Sequence, residues 1–183
     1  MALNIGIGDI EKKLSEREKK LDRVLSENRL IVRHCSNAIK AIHGRNPEEA
    51  RAQLAEAGRL LESLAKEYDE FPGHIDHVYQ EYSEARIVLS AVENGKIPSY
   101  SELAVPEIPY LLGLLDATGE LKREMYESLR RGEKEQAESF FRMMEEIYDE
   151  LLPLRFSNSV LPDFRRKQDV ARIQIEQARG ELL

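Results

Sequence analysis

Apolar residues recur along the first quarter of the chain at Ile10, Leu14, Leu21, Val24, Ile31, Cys35, Ala38 and Ile42. The rhythm is seven residues long and is interrupted at Arg17 and Asn28, which predicts one long helix from Asp9 to about Arg45 with a coiled-coil-like seam. Asn46-Pro47-Glu48-Glu49 then reads as a restart: a capping Asn, Pro at the first helical position and Glu three residues after the cap. A second helix runs to about Tyr68, with Ala50, Leu54, Ala57, Leu61, Leu64 and Tyr68 on its inner face. Phe71-Pro72-Gly73 breaks it, and a third helix ends at Asn94-Gly95, where Gly suits a left-handed cap. Ser99 to Glu102 forms a second capping box, opening a short helix that Pro106 ends.

A fifth helix spans Pro109 to Gly132, and a sixth runs from about Glu133 to Leu154 with Phe140, Met144, Ile147, Tyr148 and Leu151 inward. Phe156 to Pro162 is a loop, and Asp163 is placed to cap a seventh helix that fades near Gly180. No segment reads as a strand. Connections are mostly short, so neighbouring helices are expected to lie antiparallel in one all-α bundle spanning residues 1–183.

The net charge of −7 argues against indiscriminate attachment to nucleic acid or acidic membrane. Basic residues still cluster, with Lys122, Arg123, Arg130 and Arg131 in one group and Arg165, Arg166 and Lys167 in another. Each group reads first as a solvated helix face. No run approaches a membrane span, and the start of the chain lacks the features of a secretory signal, so the expected setting is the cytoplasm. The single cysteine, Cys35, falls at an apolar helical position and is expected to be a buried thiol rather than a nucleophile.

Four carboxylates stand out against this pattern. Glu81 and Glu84 lie in YQEYSEARIVLSAV; Asp116 and Glu120 lie in the largely apolar IPYLLGLLDATGEL. Spacings of three and four put each pair on one helical face. Glu-x-x-Glu alone is a weak pattern, since helices are rich in surface Glu. Asp116 and Glu120 are harder to place on a surface, because Leu111, Leu112, Leu114, Leu115, Ala117 and Leu121 leave little polar face. Gly113 and Gly119 lower helix propensity in the same stretch, which suits a close approach of backbone or ligand.

A carboxylate in an apolar setting is costly unless a cation meets it. Hard oxygen donors without histidine suit Mg²⁺ or Mn²⁺ rather than zinc, and His34, His43, His74 and His77 have no zinc spacing. Such an ion can acidify water and clamp phosphoryl oxygens, so phosphodiester cleavage is a natural reaction. No phosphate-cradling glycine loop, helical di-iron Glu-x-x-His pair or Ser/Cys nucleophile constellation is present, and Met143 and Met144 read as core.

Gln80-Glu81-Tyr82-Ser83-Glu84-Ala85, Pro109-Tyr110-Leu111-Leu112-Gly113 and Asp116-Ala117-Thr118-Gly119-Glu120-Leu121-Lys122-Arg123, taken in order, resemble the translin superfamily. The likeness is closer to its catalytic branch, translin-associated factor X, and extends more weakly from the first helix to Arg179-Gly180. It implies a seven-helix translin-like bundle with a long N-terminal helix. It further implies a metal-dependent endoribonuclease in which Glu81, Glu84, Asp116 and Glu120 match the catalytic, metal-holding acids.

The implied partners are single-stranded or short RNA, with single-stranded DNA as a variant, and further copies of the chain in a closed octamer with inward-facing sites. Compactness resembles a prokaryotic, archaeal-type homologue. Arg123 matches an arginine of the family pattern and is a candidate phosphate contact. His74 survives, with Tyr68 and Phe71, from a basic and aromatic tract that has otherwise turned acidic, and is a second candidate RNA contact. Pro109 departs from the acidic residue usual there. The competing reading is a non-catalytic, translin-like scaffold that binds single-stranded RNA or DNA.

Overall fold

The computed structural model describes residues 5–67 and 70–182. Among them are seven helices and no strand: α1 (Ile7–His43), α2 (Pro47–Glu67), α3 (Pro72–Asn94), α4 (Tyr100–Leu103), α5 (Glu107–Arg130), α6 (Lys134–Leu151) and α7 (Phe164–Leu182). Tyr68, assigned above to the inner face of the second helix, lies outside the described residues.

Local signals fix most boundaries. Asn46 Oδ1 accepts from the Glu49 amide at 3.1 Å, starting α2. Ser99 and Glu102 form a complete capping box at α4. Gly95 closes α3 in the left-handed region, φ 61°. Asp163 is a correction to the expected cap. It precedes α7 with φ 62°, and both its carboxylate oxygens are held by Arg166 at 2.5 and 2.7 Å.

The seam of α1 is buried only in part. Val24, Ile31, Cys35, Ala38 and Ile42 are inside, whereas Ile10 and Leu14 are 50% and 60% exposed. The reason is length. At about 1.5 Å per residue, the 37 residues of α1 outrun the 21 of α2 by about 24 Å. The first turns of α1 therefore extend past the partner that covers its second half. Fully buried Ala38, Ala50 and Ala57 lie in α1 and α2, which pack on one another.

α5 is the central rod. It packs against α3, α6 and α7, which explains the apolar run that fills its first half. Leu121 and Met125 are wholly buried, each stabilising the fold by about 2 kcal/mol. Gly113 marks the tightest approach to α3: a Cβ there would lie 2.8 Å from the Gln80 carbonyl oxygen and from Ser83 Cβ. Met143 and Met144 are core residues, as their spacing indicated.

Candidate active site

Because α3 and α5 meet so closely at Gly113, the acids of α3 at that contact and those of α5 just beyond it face a common space. Glu81, Glu84, Asp116 and Glu120 line one cleft of about 350 Å³, with Arg166 and Lys167 at the start of α7 on its other side. Gly119 keeps that side narrow. A Cβ there would stand 3.0 Å from Nε2 of Gln174 on α7, whose Oε1 accepts from Thr118 at 2.9 Å. Side chains of α3, α5 and α7 thus enclose the four acids.

Each acid has a different environment. Asp116 is bonded at both oxygens: Gln80 Nε2 donates to Oδ2 at 2.6 Å, and Lys167 Nζ donates to Oδ1 at 2.5 Å. Glu120 faces His43 at the end of α1, with Oε2 2.5 Å from Nε2. Among the described residues, Glu81 has only the exposed His77 within ion-pair reach, at 3.7 Å. No hydrogen bond or ion pair among the described residues answers Glu84.

The proton affinities follow. Burial pushes Glu84 up to about 8, and the charges of Asp116, Glu81 and Glu120 push it further than Lys167 can offset. Burial also raises Glu81. Glu120 is lowered by its hydrogen bond to His43, against a smaller opposing effect of burial. Burial pulls His43 down, but hydrogen bonds and charge from Glu120 and Glu124 outweigh it and raise the imidazole to about 9. Cys35 is pushed up to about 12 by burial and by the charges of Glu81 and Glu84, so it is the inert buried thiol expected.

Several of these residues carried no weight in the sequence. Glu124 extends the acid stripe of α5 by one turn, so Asp116, Glu120 and Glu124 fall at successive intervals of four. That regularity was the available signal. His43, judged only against a zinc spacing, had none. Lys167 corrects the reading of Arg165-Arg166-Lys167 as a solvated face: its side chain is 16% exposed, whereas Arg166, on the cleft wall and paired to Asp163, is 66% exposed. Gln80 was visible only as a neighbour of Glu81.

The two other candidates lie outside the cleft lining. Arg123 is exposed, and its charge contributes to lowering Glu120. His74 is exposed at the start of α3, edge-on to Phe71 with ring centroids 6.2 Å apart, and its carbonyl accepts from Asn28 at 2.8 Å.

The donor set can be tested for a divalent ion. As oriented, no three His, Cys, Asp or Glu side chains among the described residues stand close enough to hold one. Asp116 and Glu120 are instead bonded to Lys167 and His43. The chemistry of the set still suits a hard cation. Four carboxylates share the cleft, Glu84 has no partner among the described residues, and burial first, with its acidic neighbours second, keeps a proton on Glu84 near neutrality.

The Translin family model matches residues 7–178, which takes in the first six helices and most of the seventh. The chain belongs to the Translin family. An uncharacterised protein of Methanocaldococcus jannaschii is 31% identical over 175 residues, covering 93% of this chain and 78% of that protein. Among solved structures, AfC3PO in complex with duplex RNA is similar at 30% identity and a TM-score of 0.87, covering 96% of this chain and 94% of that one. Apo-NeC3PO, at 23% identity and a TM-score of 0.88 over the whole chain and 98% of its own, shares the fold. The all-helical, translin-like architecture expected from the motifs is therefore the architecture found.

Proposed function

We propose that this Translin-family chain is a Mg²⁺- or Mn²⁺-dependent endoribonuclease acting on single-stranded or short RNA. The observation that carries the reading is the convergence of Glu81, Glu84, Asp116 and Glu120 on one cleft in which Glu84 is met by no cation among the described residues. The likeness to AfC3PO, a protein solved with duplex RNA, supports RNA as the ligand class.

Glu81, Glu84, Asp116 and Glu120 would hold the ion through oxygen donors. When bound, a divalent cation there supplies polarisation of the phosphate and acidification of water. The protein contributes the rest. Gln80 fixes the Asp116 carboxylate, and His43 fixes that of Glu120. One of the carboxylates takes the proton of the attacking water as its oxygen bonds to phosphorus and the ester oxygen departs.

Exposed Arg123, one turn beyond Glu120, contacts RNA phosphate. His74 and His77 lie seven and four residues before Glu81, on its face of α3, and both are exposed. They give RNA a track of about 15 Å from His74 to Glu84. The chain assembles with further copies, in an octamer, through the uncovered first half of α1, where Ile7, Ile10 and Leu14 present an apolar face.

A second reading has one observation in its favour. Lys167 and His43 already bond two of the four acids, which suits a non-catalytic scaffold binding single-stranded RNA or DNA. Incubation of labelled RNA with Mn²⁺ or Mg²⁺, with and without chelator, separates the two when Glu84→Ala is run alongside. Cleavage that needs the ion and is lost in the variant supports the nuclease. RNA binding without ion-dependent cleavage establishes the scaffold.

A further inference from the structure

Among the described residues, Lys167 is the one lysine or arginine bonded to any of the four acids. We propose that Lys167 takes part in the reaction in two positions: as the counter-ion of Asp116 in the ion-free cleft, and as a ligand of the scissile phosphate when Asp116 Oδ1 is taken up by a divalent cation. The inference rests on the ribonuclease reading above.

Three features carry it. The first is selectivity of orientation. Of the basic run Arg165-Arg166-Lys167, Arg165 is exposed and Arg166, largely exposed on the cleft wall, is paired to Asp163, whereas Lys167 alone bonds an acid of the cleft. The second is anchorage. Phe164 and Gln168, on either side, are buried, and Gln168 Nε2 donates to the Leu151 carbonyl at 3.0 Å. The backbone at Lys167 is therefore fixed, and its flexible four-carbon stem is the part free to move.

The third feature is the division of labour on Asp116. Gln80 holds Oδ2 at 2.6 Å, so the carboxylate keeps its orientation whether or not Lys167 is bonded to it. The oxygen not held by Gln80 is Oδ1, which Lys167 occupies at 2.5 Å. A divalent cation binding at Oδ1 would compete with the ammonium for that atom. A displaced ammonium on a pinned backbone stays in the cleft, where the only new anion is the substrate phosphate, a group that lysine binds as a point charge.

The test uses the full chain and Mn²⁺ as the probe, at about pH 9 so that carboxylate protonation does not compete. Calorimetric titration is expected to show Lys167→Met binding Mn²⁺ about tenfold more tightly than wild type. Its cleavage of a labelled single-stranded oligoribonucleotide at saturating Mn²⁺ falls about 100-fold. Lys167→Arg, which keeps the charge, binds Mn²⁺ no more tightly than wild type and recovers part of the rate.

On the wild-type protein, amine-reactive labelling read by mass spectrometry is expected to find Lys167 several-fold more reactive with Mn²⁺ than without, other lysines unchanged. That measurement stands even where a variant fails to fold. If wild type binds Mn²⁺ and cleaves, but Lys167→Met binds no more tightly or cleaves equally fast, the inference is overturned and the nuclease reading survives. Unchanged labelling of Lys167 overturns it in the same way. If wild type neither binds Mn²⁺ nor cleaves, the underlying reading fails and takes the inference with it.

Discussion

Oε1 of Glu124 lies 2.5 Å from Nδ1 of His43, and both side chains are almost wholly buried, at 7% and 6% exposure. The other ring nitrogen meets Glu120 at 2.5 Å, so His43 ties α1 to two successive turns of α5. A ring with a carboxylate at each nitrogen is favoured as the doubly protonated cation, since both nitrogens then donate. The arrangement holds Glu120 at the cleft and places a compensating charge behind it.

This pair sets the first prediction. The folded protein holds the His43 proton up to about 9, whereas the unfolded chain releases it near 6.5. The stabilisation is complete below about pH 6.5 and is lost as pH rises through about 9, with an upper bound of about 3 kcal/mol. His43→Gln is expected to cost about 3 kcal/mol at about pH 6, because Glu124 loses its buried cation. The gap to wild type should narrow as pH rises to about 9. Urea denaturation across that range checks it; a constant gap would show that His43 acts through packing and not charge.

Glu84 gives a prediction of opposite sense. Its carboxyl ionises near 4.5 in the unfolded chain but at about 8 in the fold, owing to burial first and neighbouring acids second. Ionised Glu84 therefore costs stability above about pH 4.5, and the cost is complete above about pH 8. Glu84→Gln is expected to stabilise the ion-free protein by about 2 kcal/mol at about pH 8 while removing ion-dependent cleavage. Thermal melts and the RNA assay read the two effects. A variant no more stable than wild type would mean that Glu84 finds a cation the fold does not display.

The sequence carried the helices well because their signals are local. Asn46, Ser99 with Glu102, and Gly95 each end or start a helix through bonds within four residues. The acid pairs were legible for a related reason: helical spacing fixes which side chains share a face, and the apolar run around Asp116 announced its burial. What closes the cleft was not legible. His43 lies 77 residues before Glu120, and Lys167 lies 51 after Asp116. Nothing in helical periodicity relates α1 or α7 to α5. Lys167 sits beside two solvated arginines of the same charge, and only the packing of Phe164 and Gln168 turns it inward. The exposed Ile10 and Leu14 show the converse limit: a seam is readable, but not the length of the partner that covers it.

The glycine between the acid-bearing helices yields a third prediction. Gly113→Ala would place Cβ 2.8 Å from the Gln80 carbonyl and Ser83 Cβ, and 3.1 Å from the Glu84 amide. Two of these contacts are with backbone, so α3 itself must move away from α5. The expected cost is about 2–3 kcal/mol. Since Gln80 and Glu84 belong to the cleft, Mn²⁺ affinity should fall in the same variant, as calorimetry would show. A variant of unchanged stability and affinity would mean that α3 yields without disturbing the carboxylates.

The last prediction concerns the uncovered end of α1. Ile10 and Leu14 are 50% and 60% exposed, so Ile10→Lys with Leu14→Lys removes little from the packing within one chain. Stability of the isolated chain should change by no more than about 0.5 kcal/mol per site. Self-association should respond strongly, because two charges would enter an apolar face whose pairing is the proposed basis of assembly. Sedimentation velocity with native mass spectrometry is expected to show a shift from the assembled form to smaller species. The cleft lies on α3, α5 and α7, and the anchoring His43 sits at the opposite end of α1 from Ile10, so Mn²⁺ affinity per chain should stay at the wild-type value. Intact assembly in the double variant would move the association surface elsewhere, to faces such as the one bearing exposed Phe156 and Val160.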